Sequence, residues 1–285
     1  MNPRLSLGIG ILCISFSPIF VKLAGVAPIS GAFYRVFVAW ICLLPYCIIK
    51  KHIRVDRRHM WVAIMAGFMF AADVAVWNIS LLKISATVST LLANLAPLWV
   101  GLFTYFMLKK NVGRSFWIGT FIAIAGMVVL VGVAHIIHLQ MNTGILLAIL
   151  ASIFYAAYIL ITKKSRSKLD VFPFMFYSML GASVFLLVTC LFTGNPIIGF
   201  SSNVWLCFIG MGIICQLLGW LTINYAIHHM EPTRVSISLL SQTVFAGLLA
   251  AALLSERLGL MEIAGSVIVL AGIAITFLKP RQSIK

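Results

Sequence analysis

Ten long apolar stretches follow one another along the chain, separated by short segments that hold most of the charged residues. A helix needs roughly 20 apolar residues to cross the hydrocarbon core of a bilayer, and each stretch approaches that length. The pattern predicts ten transmembrane helices, at 5–24, 29–49, 61–82, 86–108, 115–134, 144–162, 171–193, 203–226, 233–254 and 260–278. Only Lys83 and Ser85 interrupt the third and fourth spans, so we expect a tight turn there.

The Lys and Arg residues between the spans predict the orientation of the chain. If the N-terminus is cytoplasmic, the segments on its side hold 17 of the 21 Lys and Arg residues, and the opposite turns hold only Lys83 and Arg257. Cytoplasmic loops are enriched in Lys and Arg. We therefore expect both termini and the loop 50–60 to face the cytoplasm, in a bacterial inner membrane.

Composition agrees with a membrane protein. Hydrophobic residues make up 62% of the chain and charged residues 9%, and the mean hydropathy is +1.10. Soluble domains are about 25% charged. The net charge of +15 lies in short runs between spans and forms no basic face, so we do not expect nucleic acid as a partner. The six cysteines all lie in apolar stretches and are interpreted as small hydrophobic residues.

The chain also repeats itself at an offset of 146 residues, most clearly in the last two helices of each half. The aligned pairs include Asn78 with Asn224, Gly119 with Gly265, and Gly126 with Gly272. Each half has five helices, an odd number, so the second half would enter the membrane upside down. The pattern predicts an all-α fold of two inverted five-helix repeats, 1–140 and 141–285. Inverted repeats are common in secondary transporters, whose substrates bind near the bilayer midplane. The paired glycines predict close helix contacts.

Several short motifs carry a resemblance to a known family. They are Ser15–Lys22 with its Pro18, Phe33-Tyr34-Arg35, Ser89–Leu98, and Leu254–Leu258 followed by Gly265 and Gly272. Together with the length and the repeat, they resemble the drug/metabolite transporter superfamily, EamA type. The resemblance implies a ten-helix permease for small metabolites such as amino acids, nucleotide-like compounds, vitamins or drugs. Two positions depart from the family pattern: Lys109-Lys110-Asn111 where glutamate is frequent, and Thr243 where proline is frequent.

Two charged residues lie inside the predicted spans at similar depth, Arg35 and Asp73. An unpaired charge at the centre of a spanning helix costs about 2.5–3.5 kcal/mol, so the two are expected to form a pair. One interpretation makes them a charge pair that lines a substrate cavity, with Asp73 as a proton site. The alternative is an ion pair that only fixes the helices.

Other polar and aromatic residues within the spans are further substrate-binding candidates. They are Trp77, Asn94, Gln216, Trp220 and Gln242. Buried amides bind substrates or join helices by hydrogen bonds, and both roles stay open here. Trp77 and Trp220 lie deeper than an interfacial aromatic belt, which suits stacking on a substrate. Pro18 and Pro97 interrupt helices and are either gating bends or static kinks.

The sequence contains no motif for ATP hydrolysis and no arrangement of residues typical of an enzyme. No G-x-x-x-x-G-K-[ST] loop is present, and only one of the six acids, Asp73, lies deep in a span. We expect no metal and no cofactor. The leading hypothesis is a secondary transporter that works by alternating access and exports amino-acid-like or amphipathic metabolites. Uptake or exchange of a nucleotide-like or vitamin metabolite is the alternative, and a lipid-linked flippase is a hypothesis of another class. The expected partners are a small-molecule substrate and membrane lipids, in a monomer or homodimer.

Overall fold

Ten spans that are long and apolar enough to cross a membrane run through a computed structural model of the chain, as the hydrophobic pattern predicts. The structure describes residues 2–107, 109, 111–132, 142–165, 169–255 and 258–277, and these contain helices and no strand. The predicted boundary between the halves at 140/141 lies outside these residues, as do Glu256 and Arg257 of the family motif.

The first five spans contain seven helices. Helices α1 (Pro3–Ser15) and α2 (Ser17–Ala24) form the first span, α3 (Pro28–Ile49) the second and α4 (Arg57–Leu81) the third. Helices α5 (Ala86–Ala93) and α6 (Ala96–Phe106) form the fourth, and α7 (Arg114–Val131) the fifth. Helix α4 starts four residues before the predicted span, because charged residues at a membrane surface do not end a helix.

The last five spans begin with α8 (Thr143–Ser165) and α9 (Val171–Thr193). The eighth span joins α10 (Ser202–Gly210), a π-helical segment (Met211–Gly219) and α11 (Trp220–His229). Helices α12 (Pro232–Ser238) and α13 (Ser241–Leu254) form the ninth span, and α14 (Leu260–Phe277) the tenth. The first, fourth, eighth and ninth spans are therefore irregular.

Two of the breaks coincide with the predicted prolines. The first span breaks at Phe16 and the fourth at Asn94 and Leu95, so that Pro18 and Pro97 each fall in the first turn of the next helix. Proline is tolerated in that turn because its missing N–H would have no partner in the helix anyway. The prediction that both prolines interrupt helices is confirmed. A role in gating stays a prediction.

The repeated glycines join the fifth and tenth spans. A Cβ atom built on Gly119 would lie 2.4 Å from the carbonyl oxygen of Gly272, and one on Gly126 would lie 2.6 Å from the amide nitrogen of Val269. Only residues without a side chain permit two helix backbones to approach so closely. The predicted close helix contact is confirmed.

Candidate functional site

Arg35 lies inside the bundle and is surrounded by groups from four other spans. It is seven residues into α3, which places it about 10 Å below that end of the helix. Its Nη1 donates a hydrogen bond of 3.3 Å to Ser17 Oγ, beside the break of the first span. Its guanidinium carbon is 5.8 Å from the centre of the Phe70 ring. It also interacts electrostatically with Asp73, Tyr155 and Cys215.

Asp73 is a neighbour of Arg35 but is not bonded to it. It lies eight residues before the end of α4, about 12 Å below the same side of the bundle, so the predicted similarity in depth is found. In the part of the chain that the structure describes, ion pairs within 4.0 Å join His59 to Asp56 and Arg234 to Glu231, and none joins Arg35 to Asp73. The predicted salt bridge is absent from this conformation, although the two charges interact.

Both charged side chains retain partial accessibility. Protein groups from the first, third, sixth and eighth spans face Arg35. The space between these spans holds both charges, and it lies between spans of the predicted first half and spans of the predicted second half.

Aromatic rings form one wall of this space. The Trp220 ring meets the Phe70 ring edge to face, with 4.9 Å between ring centres, and Tyr158 at 5.4 Å. Tyr155 is 6.1 Å from Trp220 by the same measure. Such rings present flat apolar faces, and the negative charge on those faces also attracts cations. The wall could therefore contact either an apolar group or a positively charged group of a ligand.

The buried polar atoms Arg35 Nε, Trp77 Nε1 and Gln216 Oε1 lack a protein partner, as do atoms elsewhere in the bundle such as Thr120 Oγ1. Trp77 lies one helical turn beyond Asp73 on α4, and Gln216 follows Cys215 in the π-helical segment. Most buried polar side-chain atoms in native proteins are hydrogen-bonded, so each exception requires an explanation. A bound ligand that accepts from the two donors and donates to the amide oxygen would supply one.

The other two candidate amides are arranged differently. Asn94 Nδ2 donates to the carbonyl oxygen of Thr90 at 2.9 Å, within its own helix, and this bond does not reach Arg35 or Asp73. The carbonyl oxygen of Gln242 accepts from Ser15 Oγ at 3.2 Å, which brings the ninth span against the first span near its break. This bond places Gln242 beside the break of the first span, and Asn94 lies at the break of the fourth span.

The π-helical segment packs directly on the helices that carry the site. A Cβ atom on Gly212 would lie 2.6 Å from Val38 Cγ1 of α3, and one on Gly219 would lie 2.8 Å from Ile14 Cγ2 of α1. Runs of π-helix are rare and often occur at functional sites. The segment presents Cys215 and Gln216 at the level of Arg35.

Several residues of this site were not singled out by the sequence. Ser17, Phe70, Tyr155 and Tyr158 all contact Arg35 or Trp220. One signal existed for Phe70, which lies three residues before Asp73 and so shares its helix face. Tyr155 and Tyr158 are also three residues apart, on α8, and therefore share a helix face.

The EamA-like transporter family matches the chain twice, over residues 5–132 and 142–278. The chain belongs to this family. The match covers nearly all of the sequence and confirms the resemblance drawn from the motifs. The chain is therefore a member of a family of membrane transporters.

Known proteins similar to this family member are also transporters. The "Uncharacterized transporter YdfC" of Bacillus subtilis is 23% identical over 275 residues, which cover 96% of this chain and 90% of that protein. An S-adenosylmethionine uptake transporter of Rickettsia prowazekii is 27% identical over 147 residues, only 52% of this chain and 49% of that protein. A crystal structure has a TM-score of 0.83 and 17% identity and covers 97% of this chain and 96% of its own, which shows the fold.

Proposed function

We propose that this EamA-family protein is a secondary transporter for a small zwitterionic metabolite with an apolar body. One observation carries the proposal: Arg35 and Asp73 are neighbours deep in the bundle, yet no ion pair satisfies them. Two opposite charges that remain apart beside an internal space can each bind the opposite charge of a ligand.

The charges and rings of the site fit an amino-acid-like compound. A carboxylate would accept from the free Nε of Arg35, and an ammonium group would bind Asp73. The apolar body would lie against Phe70 and Trp220. Arg35 is the one cation seen in this space among the described residues, which disfavours a multiply charged nucleotide. The charges come from the first half, and Trp220, Tyr155 and Tyr158 come from the second half, so the two halves would bind different parts of the ligand.

The direction of transport is part of the proposal. Export is our first hypothesis, because the resemblance to the superfamily implies it for amino-acid-like substrates. Uptake is the second candidate, and the match to the S-adenosylmethionine uptake transporter supports it. S-adenosylmethionine is itself an amino acid with a further positive charge, so the substrate class is the same for both candidates. The match covers half of each chain, and the two directions require separate assays.

Alternating access would use the broken helices. We propose that the repeats 1–140 and 141–285 move against each other, with Pro18 and Pro97 at gating bends, and that both termini face the cytoplasm. A gradient of substrate or of a coupled ion, for example protons through Asp73, would supply the energy. The protein would work as a monomer or homodimer. A lipid-linked flippase would instead need this space to open sideways into the bilayer.

The test is ligand binding followed by transport. Purified protein is screened by thermal unfolding against amino acids and their derivatives, sugar nucleotides and vitamins, because a ligand that binds the folded state raises its Tm. Compounds that raise the Tm are then assayed for flux in proteoliposomes. We expect zwitterions to raise the Tm of the parent protein and of the control Arg114→Gln, and to have no effect on Arg35→Gln. If sugar nucleotides alone raise the Tm and are transported, the proposal is wrong.

A further inference from the structure

A second cavity, an open depression in the surface that is separate from the candidate transport site, lies where the second, third and seventh spans end on one side of the bundle. Its volume is about 390 Å³, within the range of small-molecule pockets. The loop between α3 and α4 supplies cations, and the residues just before α4 and α9 supply acids. The polar lining residues are Lys51, His52, Arg54, Asp56, His59 and Asp170.

The loop that lines the cavity is attached to α9. Tyr177 donates a hydrogen bond of 2.6 Å to the carbonyl oxygen of Ile53, across 124 residues of sequence. The His52 ring stacks on the Phe172 ring, with 5.8 Å between the centres and 12° between the planes. The cations of the loop are therefore held opposite Asp170 at the start of α9.

Lys51 occupies a backbone conformation that disfavours it. Its φ is +57°, in the left-handed region, at the position just after α3 where helices usually place glycine. After α2 and α9 this chain does place glycine there, Gly25 and Gly194. Lys109 and Ser255 are the other described non-glycine residues with positive φ. Such strained residues cluster at functional sites, and Lys51 is also a lining residue of this cavity.

The charges of the lining select a ligand that carries both signs. Lys51 and Arg54 are matched by Asp56 and Asp170, and Asp56 is already 3.7 Å from His59 Nδ1. A purely anionic group would meet the carboxylate of Asp170. We propose that this cavity binds a zwitterionic phospholipid headgroup, with its phosphodiester on Lys51 and Arg54 and its primary ammonium on Asp170.

The surroundings of the cavity favour a lipid over a soluble phosphate ester. Ile49 is 75% exposed and Trp61 57% exposed, one on each helix that flanks the loop. Tyr46, also exposed, contacts both His52 and Phe172, with 5.8 Å and 4.8 Å between ring centres. An apolar surface thus runs from the cavity wall onto the outside of the bundle, where acyl chains would lie. Basic pockets at the ends of spanning helices are a known place for headgroups.

The experiment measures thermal unfolding of delipidated, full-length protein with three probes. Dihexanoyl phosphatidylethanolamine carries both charges, dihexanoyl phosphatidylglycerol lacks the ammonium, and O-phosphoethanolamine lacks the acyl chains. We expect only the first to raise the Tm, in proportion to the logarithm of its concentration. A phosphatidylglycerol effect as large as that of phosphatidylethanolamine would overturn the zwitterion assignment. An equal effect of O-phosphoethanolamine would overturn the lipid assignment.

Three variants separate binding from folding. Lys51→Gly relieves the strained φ, so we expect the lipid-free protein to unfold at a higher temperature while its response to phosphatidylethanolamine is lost. Asp170→Asn should also lose the response. Arg58→Gln removes an exposed cation that does not line the cavity, and it should respond like the parent. If Lys51→Gly and Asp170→Asn both keep the full response, the cavity is not the binding site.

Discussion

Neutralising Asp73 separates a transport role from a structural one, because the structure predicts a large effect on flux and only a small effect on stability. Asp73→Asn removes one charge and almost no volume. Arg35 and Asp73 do not approach within 4.0 Å, so their attraction is weaker than the roughly 4 kcal/mol of two charges at that distance near a protein surface. Against this, a charged aspartate at the centre of a span costs about 2.5–3.5 kcal/mol. The two terms nearly cancel, and we expect the free energy of unfolding to change by about 1 kcal/mol or less.

The expected effect on transport is much larger. A hydrogen bond to a charged group contributes about 1.5–3 kcal/mol, and every 1.4 kcal/mol corresponds to a factor of ten. Losing the bond between Asp73 and a substrate ammonium should therefore lower kcat/KM by about 10- to 140-fold. The loss should be confined to substrates that carry an ammonium group.

The assay is substrate flux in proteoliposomes, with thermal unfolding of the same preparation. Glu231→Gln is the control, because Glu231 is an exposed acid that pairs with Arg234 at 3.1 Å, away from the site. Unchanged flux in Asp73→Asn would show that the carboxylate does not contact substrate. A Tm that collapses together with flux would show that Asp73 serves only to neutralise Arg35.

Three further outcomes follow from the structure. In a protein without native cysteines, a cysteine placed at Arg54 should resist an impermeant reagent in intact cells and react after lysis. Labelling in intact cells would show that the loop 50–60 faces outward, opposite to the predicted orientation. Gly126→Leu should lower the Tm, because a Cβ there lies 2.6 Å from a backbone nitrogen and overpacking costs about 1–3 kcal/mol. Gly113→Ala is the control and should leave the Tm unchanged, because a Cβ there has no atom within 4 Å. Trp220→Phe should reduce kcat/KM in the flux assay by about 2- to 10-fold, the value of one aromatic contact, and full activity would exclude Trp220 from the site.

The spans were predictable because lipid imposes one rule on the backbone. Every N–H and C=O group in the bilayer must be bonded within the protein, so a long apolar stretch must be a helix. Proline marks the breaks at Phe16 and at Asn94. The same reasoning missed the break at Leu239 and Leu240, which has no proline. There Ser241 Oγ donates to the carbonyl oxygen of Ser238 and Thr243 Oγ1 to that of Leu240, both at 2.7 Å.

Hydroxyl groups that donate to the carbonyl oxygens at a helix break cannot be recognised from spacing alone, because serine and threonine make the same bonds in unbroken helices. The π-helical segment poses the same difficulty, since nothing in Met211–Gly219 distinguishes it from an α-helix. Arg35 and Asp73 were found because charge is rare in a span. Phe70 and Tyr155 were missed because aromatic residues are common there, and only the fold shows which of them face the charges.

The two irregular helices nearest to Arg35 connect binding to movement. Ser17, which bonds Arg35, lies at the break of the first span, and Cys215, which interacts with it, lies in the π-helical segment. At such places a backbone can exchange one set of hydrogen bonds for another without exposing polar groups to lipid. The fifth and tenth spans, held backbone to backbone by glycine, have no such freedom. We therefore expect a ligand on Arg35 to act first on the first and eighth spans, while the fifth and tenth spans stay joined and form the contact about which the two repeats move.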